Sequence, residues 1–203
     1  MKKILVVIPA RGGSKRLPRK NILKLNDKPL IQYPIELAKA LPGVGKICVS
    51  TDDQEIADLA ISLGAEVPYL RPADISGDLV PLEKVVQNVY EYYQKSFAPD
   101  ILLTLTPATP LTNIKYLIEG LQAIYNNSEI NSVITVREAT EHAEWILRVD
   151  KNGNGNTILG NPLNGKFNTS QNLEKFWYLM GAFFINRVSA FKNQNSMYSE
   201  PFY

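Results

Sequence analysis

A short segment near the amino terminus combines basic side chains with glycines in a way that suits a polyphosphate. Five cations fall within ten residues: Arg11, Lys15, Arg16, Arg19 and Lys20. Gly12 and Gly13 lie among them and allow the backbone to turn its N–H groups towards an anion. A triphosphate requires both fixed amide dipoles and mobile cations, so we predict a phosphate-binding loop within residues 9–21. A solvated basic turn is the alternative interpretation.

The position of this segment supports the first interpretation. Its sequence matches neither the G-x-x-x-x-G-K-[ST] phosphate loop nor the G-x-G-x-x-G dinucleotide fingerprint. It directly follows the apolar run 4–8, which is typical of a strand buried on both faces. Open α/β sheets bind their ligands at the carboxyl ends of such strands, so the loop stands where a ligand is expected.

Alternating strands and helices predict the sheet that must hold this loop. Buried-strand patterns recur at 46–50, 100–105 and 132–136. Helical periodicities lie between them, one beginning near Pro81 and one over 114–124. This alternation requires crossover connections and therefore a mostly parallel sheet covered on both sides. The predicted fold class is α/β with three layers, in a single domain over 1–203.

The pattern changes after the fourth predicted strand. Asn and Gly dominate residues 150–172, which is typical of tight turns, so we predict short strands around 145–149 and 157–159. Residues 177–185 then form a predicted apolar strand. The segment 137–176 is therefore a β-rich excursion from the α/β domain.

The composition limits the classes of partner and of metal ion that the protein is expected to bind. The chain has 22 basic and 20 acidic residues, a net charge of +2, which argues against nucleic-acid binding and against a polybasic membrane anchor. No apolar run approaches the roughly 20 residues that span a bilayer. The single cysteine, Cys48, precludes an internal disulfide and fits a cytoplasmic location. One histidine and one cysteine disfavour a transition-metal site, so any metal should be a hard cation held by oxygen.

The basic loop also carries a specific resemblance. Residues 10–21, A-R-G-G-S-K-R-L-P-R-K-N, resemble the signature loop of the acylneuraminate cytidylyltransferases, or CMP-sialic acid synthetases. Further landmarks of that family follow in order at 28–31, 49–53, 64–67, 70–72, Asp78, 102–111, 141–142 and 181–185. The ordered series covers nearly the whole chain and is more specific than any single motif.

The resemblance implies a Rossmann-like nucleotidyltransferase. Such an enzyme joins CTP to a nine-carbon 2-keto sugar acid and gives the CMP-sugar and pyrophosphate. The anomeric hydroxyl attacks the α-phosphorus, while Mg²⁺ and the basic loop neutralise the departing pyrophosphate. The resemblance also implies a homodimer whose contact is the excursion 137–176. Aromatic residues that border the excursion would then be buried in the dimer: Trp145, Phe167, Phe176 and Trp177.

The same resemblance assigns roles to individual residues. Arg11 and Lys20 would be the catalytic cations. The nucleotide-binding residues would be Arg11, Gly12, Gly13, Ser14, Lys20, Asn21, Arg71 and Asp78. The sugar-acid-binding residues would be Thr106, Thr109, His142 and Gly181. Within the nucleotide site, Arg71 would act at the cytosine and ribose end.

Several positions depart from the family pattern and keep two alternatives open. Thr106 replaces a Gln, and residues 79–82 replace polar side chains near the base. The family's Asp-Ile-Asp metal motif does not occur up to Tyr203, which fits either a longer chain or a different metal site. Asp52 is a candidate for a metal ligand or for a helix cap. The alternatives are a transferase of the same fold for an octulosonate or another nucleotide, and a catalytically silent nucleotide-binding or dimerisation protein.

Overall fold

A five-stranded sheet forms the framework of the computed structural model, which describes residues 2–15, 17–161, 163–164 and 169–203. In spatial order its strands are β4 (Val44–Ser50), β1 (Ile4–Pro9), β5 (Ile101–Leu105), β9 (Trp177–Arg187) and β6 (Ser132–Glu138), numbered along the chain. Strand β1 pairs in parallel with β4 and β5, whereas β9 is antiparallel to β5. The predicted α/β class with a mostly parallel sheet is therefore confirmed.

Helices and two hairpins complete the described structure. The α-helices are α1 (Gln32–Ala40), α2 (Gln54–Ser62), α3 (Leu82–Tyr93), α4 (Ile114–Asn126) and α5 (Val188–Gln194). The hairpins are β2 (Lys24–Leu25) with β3 (Lys28–Pro29), and β7 (Leu147–Val149) with β8 (Gly155–Thr157). Single 3-10 turns cover Lys20–Ile22, Ala73–Ile75, Ala143–Trp145 and Ser170–Asn172. Among the helices of these described ranges, none is both long enough and apolar enough to cross a bilayer.

Strand β1 separates two hydrophobic cores. Ile4, Val6 and Ile8 belong to the core that also contains buried residues of α1, α2 and α4. Leu5 and Val7 belong to the core formed with α3 and α5. Successive side chains of a strand point to opposite faces, so a strand with no polar position fits only between two layers of helices. All five side chains are fully buried, as the apolar run predicts.

The chain divides into two compact units. The first comprises Met1–Ile134 and Gly181–Tyr203, and the second comprises Thr135–Met180. The second unit contains residues 137–176, which the turn-rich composition sets apart. Strands β6 and β9 each run from one unit into the other.

The second unit is built on the β7–β8 hairpin. Its register pairs Leu147 with Thr157 and Val149 with Gly155, which confirms two short strands within a few residues of the predicted positions. Asp150 shapes the turn because its Oδ1 accepts hydrogen bonds from the amides of Asn152 at 2.8 Å and of Asn154 at 2.9 Å. Of the aromatic residues predicted at the border of the excursion, Phe167 lies outside the described residues.

The structure also contains elements that the sequence patterns do not reveal. Helix α1 and the β2–β3 hairpin are not predicted, because their periodicities are short. The carboxyl-terminal segment pairs with β6, where Tyr203 N–H donates to the Ser132 carbonyl at 2.9 Å and Ile134 N–H donates to the Tyr203 carbonyl at 2.9 Å. This segment continues the sheet beyond β6 by non-local contacts.

Candidate active site

Three loops of the first unit meet at one edge of the sheet. They follow the parallel neighbours β4, β1 and β5, and comprise residues 51–53, 10–21 and 106–112. The carboxyl ends of adjacent parallel strands lie side by side, and this edge is where open α/β sheets bind ligands. Ala10 N–H continues the pairing of β1 with β4 by donating to the Ser50 carbonyl at 2.9 Å. The basic loop therefore begins at a fixed point.

Asn21 closes the basic loop at its neck. Its side-chain amide donates to the Arg11 carbonyl at 2.8 Å, and its own carbonyl accepts the Ile31 N–H at 2.9 Å. The residue is buried, with 4% of its surface exposed. Asn21 thus determines the loop's shape, and its contact with a phosphate stays a prediction.

The turn between β4 and α2 holds the loop at two further points. Asp52 Oδ1 accepts the Gly12 N–H at 2.8 Å, so that amide already faces an anion of the protein. Asp53 forms an ion pair with Arg19 and also accepts the Ile56 N–H at 3.0 Å, which makes Asp53 the N-cap of α2. The helix-cap alternative for Asp52 is therefore wrong, because Asp53 caps α2 and the Asp52 carboxylate accepts the Gly12 N–H.

Two loop cations share one carboxylate. Arg11 Nη1 lies 2.6 Å from Asp78 Oδ1, and Lys15 Nζ lies 2.5 Å from Asp78 Oδ2. The Lys15 hydrogen bond and the Arg11 charge lower the pKa of Asp78, although partial desolvation opposes them. Asp78, predicted to contact the nucleotide, thus pairs with Arg11, which is predicted to contact the phosphates, and with Lys15, a further cation of the loop.

Lys20 differs from these two cations. Within residues 2–15, 17–161, 163–164 and 169–203, no carboxylate forms an ion pair with Lys20. Lys20 is the first residue of the 3-10 turn Lys20–Ile22 and is half-buried.

The remaining predicted residues of the loop lie nearer its tip. Ser14 is half-buried, and its amide donates to the Gly12 carbonyl at 3.0 Å. A β-carbon on Gly13 would have no neighbouring atom within 4 Å, so Gly13 borders open space. Arg16 lies outside the described residues.

Arg71 lies against the same β4–α2 turn. Its amide donates to the Thr51 carbonyl at 2.7 Å, its Nε donates to Ser76 Oγ at 3.2 Å, and its Nη2 lies 4.0 Å from Asp52 Oδ1. Burial lowers the pKa of Arg71, while the Asp52 charge raises it, and a guanidinium remains protonated under such a shift. A cation that is 6% exposed is thus fixed beside the loop.

The structure brings together three of the residues predicted to bind the sugar acid. Thr106 Oγ1 lies 3.1 Å from Thr109 Oγ1 and 3.3 Å from the Gly181 carbonyl. Thr106 N–H also donates to the Ala182 carbonyl at 3.3 Å, which attaches the 106–112 turn to β9. Gly181 adopts a φ of +60°, a left-handed conformation that favours glycine.

His142 belongs to the second unit. It is half-buried, and its ring meets the Trp145 ring edge-on with centroids 5.0 Å apart. The ring of His142 thus packs against a neighbour within its own unit. Its contact with a sugar acid stays a prediction.

Sequence reasoning missed the tethers of the basic loop. The acidic start of α2 is visible in the sequence and is typical of an N-cap. Nothing in the spacing shows that Asp52 reaches Gly12, 40 residues away, or that Asp53 reaches Arg19. These contacts arise because β4 lies beside β1 in the sheet.

The described residues do not form a ready-made magnesium cage. No group of three His, Cys, Asp or Glu side chains in the described part of the chain could hold a metal ion. The carboxylates beside the basic loop are engaged: Asp52 by an amide, Asp53 by Arg19, and Asp78 by Arg11 and Lys15. The donor set therefore does not fit a metal held mainly by protein ligands, and we assign no metal ligand to it.

Comparison with known proteins agrees with the resemblance of the loop. A family model described as cytidylyltransferase matches residues 5–159. CMP-N,N'-diacetyllegionaminic acid synthase of Legionella pneumophila is 32% identical over 200 residues, which cover 98% of this chain and 84% of that protein. Pseudaminic acid cytidylyltransferase of Campylobacter jejuni is 33% identical over 198 residues, which cover 97% of this chain and 83% of that protein.

A solved structure supports the fold. The structure of CMP:2-keto-3-deoxy-manno-octonic acid synthetase complexed with CTP superposes with a TM-score of 0.70 at 20% identity. The match covers 95% of this chain and 77% of that one, and at this identity it shows the fold alone. The predicted nucleotidyltransferase fold and the predicted family are thus confirmed. The chain belongs to the cytidylyltransferase family of nucleotide-transferring enzymes.

Proposed function

We propose that this protein joins CTP to a nine-carbon 2-keto sugar acid of the sialic-acid type and releases pyrophosphate. The observation that carries the proposal is the tethered basic loop at the carboxyl end of β1, in a chain of this family. The names of the two relatives, which specify legionaminic and pseudaminic acid, support a sugar acid of this size.

The proposed reaction is a single displacement at phosphorus. The anomeric hydroxyl oxygen of the sugar acid forms a bond to the α-phosphorus, while the bond from that phosphorus to the bridging oxygen breaks. The hydroxyl loses its proton, and pyrophosphate leaves with the bonding electron pair. Negative charge gathers on the departing group, so the protein contributes chiefly by placing cations and amides there.

Arg11, Lys15 and Lys20 are the cations that would receive the triphosphate and neutralise the departing pyrophosphate. Arg11 and Lys15 would exchange Asp78 for phosphate oxygens, because one carboxylate carries less charge than a polyphosphate. Lys20 forms no ion pair with a carboxylate of the described residues, so it would bind phosphate without giving one up. Arg71 would act at the cytosine and ribose end, beside the turn that holds the loop.

Thr106, Thr109 and Gly181 would form the wall that faces the sugar acid. Their hydroxyl and carbonyl groups lie together beside the end of β5, the strand adjacent to β1. This arrangement would place the attacking hydroxyl next to the α-phosphate.

We further propose that CTP enters as its magnesium complex. A hard cation held mainly by substrate phosphates and water would need few protein ligands. When bound, the cation would add positive charge to the triphosphate. Pyrophosphate release should therefore cease on chelation with EDTA and return when excess Mg²⁺ is added. Full release in EDTA would contradict this proposal.

The second unit would provide the homodimer contact. Several of its large apolar side chains are between 43% and 61% exposed, including Trp145, Leu147, Val149, Trp177 and Leu179. A surface of this kind is typical of an interface. Val149→Asp should shift the protein towards monomer in sedimentation, whereas Ile61→Asp, at a similarly exposed position on α2, should not. An unchanged dimer in Val149→Asp would place the contact elsewhere.

A cytoplasmic location is part of the proposal. The one cysteine is free and buried, so the fold needs no oxidising compartment. Cell fractionation would test it, and recovery with a membrane or periplasmic fraction would contradict it.

The decisive experiment measures pyrophosphate release from CTP and Mg²⁺ with a panel of nine- and eight-carbon 2-keto sugar acids. Release with a nine-carbon acid supports the proposal, and release only with an eight-carbon acid supports an octulosonate enzyme. Stabilisation by CTP without any release indicates a silent nucleotide-binding protein.

A matched pair of variants tests the loop itself. Lys20→Ala should raise the KM for CTP at least about tenfold, since a charge-assisted contact contributes about 1.5 kcal/mol or more. Lys24→Ala removes the same charge from an exposed position in β2 and should leave the KM within about twofold, as is usual for exposed charges. An unchanged KM in Lys20→Ala would remove this lysine from the site.

A further inference from the structure

The turn between β4 and α2 contacts the basic loop at both of its ends. Near the beginning of the loop, the Gly12 N–H donates to Asp52 Oδ1 at 2.8 Å. Near its end, the Arg19 guanidinium binds the carboxylates of Asp53 and Glu55. The turn itself is rigid, because it joins a sheet strand to a helix that Asp53 caps. The loop is therefore held at two anchors: the first is the Gly12–Asp52 hydrogen bond, and the second is the pairing of Arg19 with Asp53 and Glu55.

Close packing reinforces the first anchor. A β-carbon built on Gly12 would lie 2.7 Å from Asp53 Oδ2 and 2.9 Å from Asp53 Cβ. Both distances are shorter than real β-carbon contacts, so the loop backbone approaches the turn as closely as a glycine permits. In contrast, a β-carbon on Gly13 would meet no atom within 4 Å. The loop leaves the turn immediately after Gly12.

The second anchor holds a strained residue. Arg19 has a φ of 57°, a left-handed conformation that residues with side chains rarely adopt. The hydrogen bond that Arg19 donates to Asp53 raises the pKa of Arg19, with smaller contributions from the charges of Asp53 and Glu55. Burial alone would raise the pKa of Asp53, but the Arg19 contact and the Ile56 amide outweigh it and lower the pKa. The pair thus stays ionised and stabilises the strained turn directly before Lys20.

We propose that Asp52 and Asp53 are positioning residues that hold the basic loop in the shape that receives the triphosphate. They contact no substrate in this scheme. Instead, they fix Gly12 and Arg19, and so set the places of Arg11, Lys15 and Lys20. Arg19, one of the five cations of the loop, is then a tether rather than a phosphate ligand. This inference rests on the proposed function of the loop.

Asp53→Asn separates the tether from the helix cap. Asparagine is as good an N-cap as aspartate, so the bond from Ile56 is kept while the charge that pairs with Arg19 is lost. We expect the KM for CTP and the Kd for inorganic triphosphate to rise about three- to tenfold, as for a partly exposed charged pair, with kcat changed by less than about twofold. Glu36→Gln, which removes the α1 carboxylate that pairs with Lys28 of β3, is the matched control and should change neither constant.

A double-variant comparison shows whether Asp53 acts through Arg19. If it does, Asp53→Asn combined with Arg19→Gln should be no worse than the more damaging single variant. Effects on the KM that multiply would overturn the positioning role, because Asp53 would then act on the nucleotide independently. An unchanged KM in Asp53→Asn would overturn it as well.

Hydrogen exchange tests the anchor without reference to catalysis. In Asp52→Ala the Gly12 amide loses its acceptor, and its exchange should be at least about tenfold faster than in the unmodified protein, while amides of β1 keep their protection. Unchanged Gly12 exchange would overturn the inference. Absence of CTP binding and of pyrophosphate release in the unmodified protein would instead overturn the proposed function, and the exchange result would still stand.

Discussion

Strands β1 and β7 contain similar apolar residues but stand in different surroundings. In β1 every side chain from Ile4 to Ile8 is fully buried between two layers of helices. In β7, Leu147 and Val149 are 46% and 61% exposed, and the described chain places no further layer over them. The two sequences already differ, because Arg148 interrupts the apolar residues of β7 whereas residues 4–8 of β1 include no polar position. The exposure of the two strands follows that difference.

The same difference separates the two compact units of the chain. The first unit buries the apolar residues of its central strands between helices and presents charged loops at one edge of the sheet. The second unit leaves much of its apolar surface to be covered by something else, which fits the homodimer proposed above. The predictions below test the contrast between covered and uncovered regions, in order of decreasing effect.

The largest contrast should appear in thiol reactivity. Burial raises the pKa of Cys48 to about 12, although a hydrogen bond with Tyr93 opposes it. At pH 8 only about one thiol in ten thousand would then be a thiolate, against roughly a quarter for an ordinary cysteine. The Cys48→Ala/Val149→Cys variant, studied as monomer, should therefore react with iodoacetamide at least about a thousandfold faster than the unmodified protein. Equal labelling rates would show that β4 is not covered as described.

The next contrast concerns the free energy of unfolding. Leu103→Ala removes a fully buried side chain of β5 and should cost about 2–5 kcal/mol, because it leaves a cavity between packed layers. Leu147→Ala makes the same change at a half-exposed position and should cost less than about 1 kcal/mol in the monomer. Urea denaturation at low protein concentration measures both. Similar losses in the two variants would contradict the assignment of β7 as an uncovered strand.

A smaller contrast should appear between two strand glycines. Gly181 has a φ of +60°, so Gly181→Ala should lower the free energy of unfolding by about 1–2 kcal/mol. Space is not the reason, because a β-carbon built there would lie 3.9 Å from the nearest side-chain atom, in Phe184. Gly155 lies outside the left-handed region and a β-carbon there would make an ordinary 3.7 Å contact with Leu147. Gly155→Ala should change the free energy of unfolding by less than about 1 kcal/mol. A larger loss in Gly155→Ala would show that the hairpin is packed more tightly than it is in this structure.

The smallest contrast concerns two aspartates with lowered pKa values. The Lys15 hydrogen bond and the Arg11 charge lower the pKa of Asp78, whereas the Asn154 side chain and nearby amides lower that of Asp150. Both carboxylates should titrate below the ordinary value of 3.8. Each lowered pKa contributes stability that is present above 3.8 and is lost as the pH falls through the folded-state pKa.

Salt distinguishes the two causes. In 1 M salt the pKa of Asp78 should move up towards 3.8, because ions screen its charged partners, while that of Asp150 should move less. Carboxyl ¹³C shifts recorded by NMR at two salt concentrations would measure this. Equal responses would show that Asp78 does not depend on Arg11 and Lys15.

Much of the fold can be predicted from the sequence. The apolar runs of β1 and β5, and the helical faces of α3 and α4, are each long and regular enough to fix the element and its orientation. The turn-rich composition also predicts the β7–β8 hairpin. Helix α1 and the β2–β3 hairpin are not predicted, because their short sequences show no clear hydrophobic periodicity.

The candidate site is predictable only in part. The basic loop and its glycines predict an anion-binding site. The ordered motifs predict the family, which the matching family model confirms. The contacts of Asp78 with Arg11 and Lys15, and the closure of the loop by Asn21, have no local pattern. Their partners are brought together by loops from different strands.

By itself, the sequence determined the alternation of strands and helices, the place of the basic loop after a buried strand, and the chemistry of its side chains. Local spacing and side-chain type suffice for these properties. Only the tertiary structure decided that Asp52 and Asp53 anchor the loop and that Arg19 serves as a tether. It also decided how much of β7 stays exposed. The physical reason is that such contacts join residues distant in the chain, and sheet order, which no local pattern encodes, brings them together.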